Sequence, residues 1–455
     1  MDVRLIAKIL RRRARLRGHE QWSSDELRAH QAAALAELRA HAIARSPFYR
    51  RFHAGVETAP LEQLPILTKQ QLMSSFDELV TDPEVHLADV ERHLAELQGN
   101  DRYLNRYWVA RTAGSTGHPG IFLTDRDEWS TVIASYARAQ EWAGIDARIT
   151  KRTRLAVVSS RVPWHQSARV AASVDTPFVP VRRFDATQPI EDIVAGLNEW
   201  QPENLIVYAS MSRVLAEEQL AGRLRIQPRA VMCSSEVLTD ESVDRVERAW
   251  RTRPFNVYAA TETAGVASHC ASHRLHLFED LVITEVVDEH NRPVPVGSVG
   301  DKLLVTVLFS RTQPLIRYEM SDRVARSAER CDCGLPFALL STIEGRAEDI
   351  LQLPAQRGGT ISVHPNVFHR VLERLPVRQW QVVQEAAGLR VLVVDPQPEV
   401  ALDAVQRAIE SSLRAGGVEP PPIRIERAAA VTRTALGKAP LVRAHRSSAP
   451  AIEPR

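Results

Sequence analysis

Residues 112–120 read Thr-Ala-Gly-Ser-Thr-Gly-His-Pro-Gly, and this stretch says most about the fold of the chain. It combines three glycines with three hydroxyl-bearing residues. Glycine lets backbone N–H groups approach phosphate oxygens closely, and Ser115 and Thr116 add hydroxyl donors. Strand-like apolar residues lie on both sides, at 107–110 and 121–124. The stretch therefore predicts a strand, a polyphosphate-binding loop and a second strand.

Two familiar phosphate-binding motifs do not fit this loop. A Walker A loop ends in Gly-Lys-Ser/Thr, and a dinucleotide fingerprint reads Gly-x-Gly-x-x-Gly; both lead into a helix. Taken alone, the stretch is equally compatible with an exposed surface turn, because Gly, Ser and Thr clusters are common in loops. The rest of the sequence has to separate these two interpretations.

Length and charge exclude several classes of protein. A chain of 455 residues predicts two or three domains. Its 58 basic and 56 acidic residues nearly cancel, so we expect neither nucleic acid nor a membrane as partner. The basic run at 11–15 is interpreted as the solvated face of a helix. Because no signal-peptide core and no long apolar span occur, we expect a cytoplasmic protein.

The pattern of apolar residues predicts an α/β fold with two domains. The first hundred residues have helical spacing, and residues 155–250 alternate strand-like runs with amphipathic helices, which favours layers around a parallel sheet. Hairpin-like β segments begin near 281 and predict a β subdomain. We expect a large N-terminal domain at 1–345, a small C-terminal α+β domain at 346–445, and a disordered tail at 446–455.

Four further motifs follow the glycine-rich loop in a fixed order. They are Tyr258-Ala259-Ala260-Thr261-Glu262, Ser321-Asp322, Gly345-Arg346 and Gly437-Lys438. In this order the chain resembles the ANL superfamily of adenylate-forming enzymes across residues 45–445. Leu-Pro-Ile-Leu-Thr-Lys at 64–69, Ile-Arg-Tyr at 316–318 and Cys-Asp-Cys-Gly at 331–334 make it most similar to the phenylacetate-CoA ligase-like branch.

The resemblance implies an ATP-dependent acid–thiol ligase. Such an enzyme joins a carboxylic acid, here expected to be aromatic, to AMP with release of pyrophosphate, and then passes the acyl group to coenzyme A. Two alternatives stay open: transfer to a carrier protein, an amine or another nitrogen nucleophile, and a non-catalytic nucleotide-binding protein of the same fold. A homodimer is a further open alternative.

The resemblance also implies roles for individual residues. Nucleotide binding is assigned to Thr112, Gly114, Ser115, Thr116, Gly117, Ser235, Glu236, Tyr258, Ala259, Ala260, Thr261, Asp322 and Arg346. Lys438 would stabilise charge during adenylation, Glu262 would bind Mg²⁺, and Glu348 would lie at the hinge of a mobile C-terminal domain. Three positions depart from the usual pattern, namely Ala113, Ala259 and Ser321.

Two more groups of side chains carry predictions. Cys270, His276, Cys331 and Cys333 are candidates for a structural Cys₃His zinc site, with His269 and His273 as competing ligands and reduced, metal-free thiols as the alternative. Arg161, Trp164 and His165 follow a predicted strand and are candidates for the acyl pocket. For these three residues a purely structural role is the competing interpretation.

Overall fold

The computed structural model describes residues 3–112, 119–145, 152–174, 179–346, 350–363, 365–372, 375–398, 400–434 and 438–444. The chain begins with helices, as the early helical spacing predicts. They are α1 (Val3–His19), α2 (Ser24–Arg45), α3 (Pro47–Phe52), α4 (Lys69–Ser74), α5 (Phe76–Leu79) and α6 (Leu87–Glu96). A capping box fixes the start of α2, because Ser23 and Glu26 satisfy each other's backbone N–H groups.

The glycine-rich loop connects two antiparallel strands, which confirms the predicted arrangement around it. These are β1 (Trp108–Arg111) and β2 (Ile121–Thr124), paired from Trp108 opposite Thr124 to Arg111 opposite Ile121. The long helix α7 (Arg126–Trp142) follows, and its start is capped by Asp125 and Glu128. Most of α7 is buried, and α1 packs against it.

The centre of the molecule is a nine-stranded sheet with helices on its faces. Its first part contains β3 (Leu155–Ser159), α8 (Gln166–Val174), β4 (Val181–Asp185), α9 (Ile190–Trp200), β5 (Asn204–Tyr208), α10 (Ala209–Leu220), β6 (Ala230–Ser234), α11 (Asp240–Trp250) and β7 (Phe255–Ala260). The strand order here is β7-β6-β5-β3-β4, and every pairing is parallel. The carboxyl ends of these strands therefore share one edge, where ligands bind in open α/β sheets.

The sheet continues with antiparallel strands that begin at Ala264, before the hairpin-like segments that the sequence predicted from about residue 281. The remaining strands up to Arg346 are β8 (Ala264–His269), β9 (Leu275–Leu277), β10 (Val282–Val287), β11 (Lys302–Val307), β12 (Tyr318–Met320), β13 (Asp322–Ser327) and β14 (Leu339–Arg346). Strands β8, β9, β14 and β13 extend the sheet beyond β7, while β10, β11 and β12 form a separate three-stranded sheet. Only residues 261–263 join β7 to β8, and so short a turn permits only antiparallel pairing.

The C-terminal part has its own hydrophobic core. Its elements are β15 (Leu351–Pro354), β16 (Thr360–Val363), α12 (Asn366–Leu372), β17 (Gln379–Glu385), β18 (Gly388–Val394), α13 (Leu402–Ala415), β19 (Ile423–Ala428) and β20 (Val442–Arg443). The buried Trp380 and Phe368 lie at the centre of this core. No described helix is long and apolar enough to span a lipid bilayer.

Candidate active site

A cleft of about 1580 Å³ lies between the carboxyl edge of the sheet and the C-terminal part. Strand ends supply one wall, and residues around Lys438 supply the other. The predicted site residues that line it are Thr112, Trp164, His165, Ser235, Glu236, Tyr258, Ala259, Ala260, Thr261, Asp322, Arg346 and Lys438. Residues spread over more than 300 positions of sequence therefore meet in one cavity, as the resemblance implied.

Asp322 and Arg346 form the polar corner of the cleft. They face each other in the β13–β14 pair, and the Arg346 Nε lies 3.8 Å from an Asp322 carboxylate oxygen. Tyr258, at the end of β7, is buried beside them. Burial, followed by the negative charge of Asp322, raises the pKa of the Tyr258 hydroxyl well above its usual range. The Tyr258 phenol therefore remains neutral. The two carboxylate oxygens of Asp322 can accept hydrogen bonds from a ligand with adjacent hydroxyl groups.

Glu262 lies in the three-residue turn between β7 and β8. It lines a small cavity next to the cleft, together with Thr261 and Gln313, and not the main cleft itself. Its Oε2 is buried and has no hydrogen-bond partner among the described residues. A buried carboxylate oxygen without a donor is costly, and a bound cation would remove that cost. The residue therefore fits the predicted role of magnesium ligand.

Lys438 reaches the cleft from the C-terminal part. Its Nζ lies 5.7 Å from the centroid of the Tyr208 ring, at the end of β5. Its charge also acts on His165, whose pKa is lowered to about 3, first by burial and then by Lys438. The His165 ring is therefore neutral at physiological pH. Lys438 thus brings a positive charge into the cleft beside Tyr208.

Glu236 lines the cleft, but its carboxylate has other partners than the predicted nucleotide. Oε2 accepts a hydrogen bond from the Ser210 N–H at 2.9 Å, and Oε1 accepts one from the Ala439 N–H at 3.0 Å. The preceding Ser235 has φ of +70°, which turns the chain towards the cleft. The role of Glu236 as a direct nucleotide ligand therefore stays a prediction.

The predicted metal ligands are brought together by the antiparallel part of the sheet. Ligand atoms of Cys270, His276, Cys331 and Cys333 all lie within 4.8 Å of one another. The sulfurs of Cys270 and Cys331 are 3.7 Å apart, too far for a disulfide and close to the edge, about 3.8 Å, of a tetrahedron with Zn–S bonds of about 2.3 Å.

The histidine of this cluster is held in the orientation that a metal ligand requires. The His276 Nδ1 lies 2.8 Å from the Phe337 carbonyl, which leaves Nε2 facing Cys333 Sγ at 3.2 Å. His269 and His273 lie outside the cluster, and the Nδ1 of His269 accepts a hydrogen bond from the Asn256 N–H. Of the three competing histidines, the structure therefore selects His276.

Comparison with known proteins gives the relationships of the chain. No protein-family model matches it. It is 29% identical over 204 residues to the phenylacetate-coenzyme A ligase of Thermus thermophilus, which covers 42% of this chain and 44% of that enzyme. The phenylacetate-coenzyme A ligase of Escherichia coli is 26% identical over 73% of this chain and 74% of its own length. Protein CapK of Staphylococcus aureus is 25% identical over 72% and 68%.

The first of these alignments spans less than half of the length of the Thermus enzyme. Among solved structures, 2-hydroxyisobutyryl-CoA ligase in its postadenylation state superposes with a TM-score of 0.72 at 19% identity, covering 94% of this chain and 91% of that one. This superposition shows that the chain has the fold of that ligase, as its resemblance to the ANL superfamily implied. The same ligase in its thioesterification state gives a TM-score of 0.60 over the same fractions.

Thr112 forms two hydrogen bonds across the base of the glycine-rich loop. The Thr112 N–H donates to the Gly120 carbonyl at 2.9 Å, and the Gly120 N–H donates to the Thr112 hydroxyl at 2.7 Å. The threonine hydroxyl therefore ties the two ends of the loop together. The predicted phosphate ligands Gly114, Ser115, Thr116 and Gly117 lie outside the described residues, as does the predicted hinge residue Glu348.

The predicted acyl pocket is only partly supported by the geometry. Trp164 and His165 line the cleft, and the Trp164 ring lies 5.6 Å from the guanidinium carbon of Arg111. Arg161 is exposed and lies outside the cleft, because the chain leaves the sheet edge after Ser159 with that side chain in solvent. The expectation that Arg161 meets the substrate is therefore not supported.

Sequence reasoning missed the apolar side of this cavity. Leu155, Val157 and Ile206 line the cleft from β3 and β5, and Val170 lines it from α8. On β3, Leu155, Val157 and Ser159 face the cleft, whereas Ala156 and Val158 face the core on the other side of the sheet. The period of two along 155–159 was the available signal, but continuous apolar runs conceal which face lines a cavity.

Proposed function

We propose that this protein activates a carboxylic acid as an acyl-adenylate, with release of pyrophosphate, and then transfers the acyl group to coenzyme A. The observation that carries the proposal is the meeting of Tyr258, Asp322, Arg346 and Lys438 in one cleft. In this set the two carboxylate oxygens of Asp322 can accept hydrogen bonds from a ribose, and Arg346 and Lys438 supply positive charge for phosphate. Tyr258 lies where the adenine ring would bind. Relatives named phenylacetate-coenzyme A ligase support the reaction class.

Each residue has a definable task in this reaction. Asp322 accepts hydrogen bonds from the two ribose hydroxyls, and Arg346 orients that carboxylate and adds charge towards the phosphate. The Lys438 ammonium stabilises the negative charge that develops when the acid attacks the α-phosphate. Glu262 would hold the magnesium ion, which neutralises phosphate charge when it is bound.

The cavity favours an acid with an uncharged, largely apolar body. The cleft wall formed by α7, α8, β3 and β5 contains no Asp, Glu, Lys or Arg among its lining residues, and His165 is neutral. Burial of apolar substrate surface against Val157, Val170 and Ile206 would supply the binding energy. Aromatic and branched aliphatic acids both meet this description.

We also propose that the large and small domains meet at about residue 345, and that the small domain moves between the two half-reactions. The separate core of residues 351–442 supports this division. The higher TM-score to the postadenylation state than to the thioesterification state of 2-hydroxyisobutyryl-CoA ligase supports an adenylation-type pose. In this pose Lys438 lines the cleft.

The cysteine cluster is proposed to bind a structural zinc ion. Cys270, His276, Cys331 and Cys333 would hold it, and the Phe337 carbonyl would fix the histidine. The cluster joins β9 to the segment that leads into β14. A bound ion would therefore stabilise the antiparallel half of the sheet.

A screen of aryl and alkyl acids tests the proposal. Purified protein is incubated with ATP, magnesium and each acid, with and without coenzyme A, and pyrophosphate and thioester are measured. The proposal expects acid-dependent pyrophosphate release and thioester only with coenzyme A. Product formed with a carrier protein or an amine in place of coenzyme A would favour the alternative acceptors. ATP binding with no pyrophosphate for any acid would contradict an enzymatic role.

A further inference from the structure

The segment that carries Lys438 is fixed firmly to the small domain. The fully buried Gln381 donates from Nε2 to the carbonyls of Thr432 and Pro440, at 2.8 and 2.9 Å, and accepts from the Thr432 N–H at 3.0 Å. The Thr434 N–H donates to the Lys438 carbonyl at 2.8 Å. One side chain thus clamps both ends of the segment, which must move with the domain as a unit.

Described residues of the same segment also contact the large domain. Arg433 donates to the Ala186 carbonyl, and its Nη1 lies 2.9 Å from the Met211 sulfur. Six positions later, the Ala439 N–H donates to Glu236. Both contacts lie close to the start of α10, where Tyr208 meets the Lys438 ammonium.

Glu236 is suited to hold this junction. Its second oxygen accepts from the Ser210 N–H in the first turn of α10, a helix start with no capping side chain at its N-cap residue. A carboxylate at a helix N-terminus is favourable, so the large domain holds the Glu236 side chain in place before Ala439 arrives. The hydrogen bond to Ala439 is charge-assisted and therefore strong.

We propose that Glu236 is a positioning residue that holds Lys438 in the cleft during acyl-adenylate formation and releases Ala439 before acyl transfer. This inference depends on the proposed function. Glu236 acts through the backbone next to Lys438, because one of its oxygens accepts from the Ala439 N–H. Loss of its charge should therefore impair the first half-reaction selectively, because only that step needs Lys438 in the cleft.

The test compares Glu236→Gln with a matched control, Glu203→Gln. Glu203 also accepts a backbone N–H, from Arg154, but within the large domain alone. The first half-reaction is measured as acid-dependent ATP–pyrophosphate exchange, and the second as thioester formation from supplied acyl-adenylate and coenzyme A. We expect exchange to fall about tenfold or more in Glu236→Gln, the size of one charge-assisted hydrogen bond, with the second step within about twofold of wild type.

A measurement without substrates separates this inference from the proposed reaction. Hydrogen exchange at residues 438–444 should become faster in Glu236→Gln and stay unchanged in Glu203→Gln. Wild-type pyrophosphate exchange, equal loss of both half-reactions, or unchanged hydrogen exchange would each overturn the role of Glu236. Wild-type protein inactive with every acid would contradict the proposed reaction instead, and the hydrogen-exchange contrast would still judge the Glu236 contact.

Discussion

Asp322 and Arg346 face each other at one end of the β13–β14 pair, with the Arg346 Nε 3.8 Å from the Asp322 carboxylate. The first residue of β13 thus meets the last residue of β14 at the mouth of the cleft. A shift in strand register, between Arg323 and Val324, lies directly beside this contact. The Asp322 carboxylate can accept hydrogen bonds from a ligand, and the Arg346 guanidinium beside it can donate them.

Asp322→Asn should weaken ATP binding, because an amide cannot accept from two ribose hydroxyls as a carboxylate does. We expect the KM for ATP to rise about tenfold to hundredfold, as for loss of charged hydrogen bonds. The measurement is acid-dependent pyrophosphate release at varied ATP. Asp288→Asn, in an exposed turn after β10, serves as the control. An unchanged KM would remove Asp322 from the ribose site.

Lys438→Ala should suppress the chemistry and spare nucleotide binding. Removal of a charge that acts on the transition state costs about 100- to 1000-fold in rate. Pyrophosphate exchange and equilibrium binding of ATP are measured side by side, with Lys8→Ala on α1 as control. Exchange at the wild-type rate in Lys438→Ala would contradict its assigned role.

Metal analysis should find one zinc ion per chain, and Cys270→Ser should lose it. We expect a fall in melting temperature of roughly 5–10 °C, since a closed site contributes directly to folding. Cys233→Ala is the matched control, because Cys233 lies buried in β6, away from the cluster. Metal-free wild-type protein whose melting curve is unaffected by a chelator would exclude the zinc site.

His53 should make the protein less stable in acid. The ring is buried without a hydrogen-bond partner among the described residues, and burial followed by the charge of Arg39 lowers its pKa to about 4. The unfolded chain binds this proton below about pH 6.5, whereas the folded protein does not until about pH 4. Between these values the unfolded state holds more protons, so the free energy of unfolding decreases as pH falls.

At pH 5 this difference amounts to about 2 kcal/mol for His53 alone. Unfolding in urea at pH 7 and pH 5 measures it. His53→Leu should lose this part of the pH dependence, and the exposed His290→Gln should retain it. Equal pH dependence in His53→Leu and the wild-type protein would contradict the pKa of the buried ring.

Periodicity was sufficient to predict most elements of the parallel half of the sheet. Strand β3 and helix α9 follow the alternation of strand-like runs and amphipathic helices predicted over 155–250. The strand predicted at 121–124, in the separate β1–β2 pair, also matches the structure. The hairpin of β15 and β16 was missed although Gly358 and Gly359 mark its turn. Buried and exposed positions alternate along its short strands and few side chains are buried, so the apolar signal is weak.

The members of the site were predictable from ordered motifs, but their contacts were not. Resemblance assigned Glu236 to the nucleotide, whereas its carboxylate accepts from Ser210 and Ala439, more than 200 residues apart in sequence. Such a contact depends on how two separately folded parts meet, which local periodicity does not encode. The choice of His276 over His269 likewise depends on strand pairing, since His276 lies opposite Leu339 in β14.

The wall of the cleft that carries Lys438 belongs to a part with its own core. When one wall of a cleft belongs to a separate folding unit, the product can leave without a narrow exit channel. Under the proposed function, withdrawal of that unit would uncover the cavity and remove the Lys438 charge from it in a single movement. Opening of the cleft and the end of adenylation would then be the same event, and the stiffness of the linkage between the two parts would set the rate of turnover.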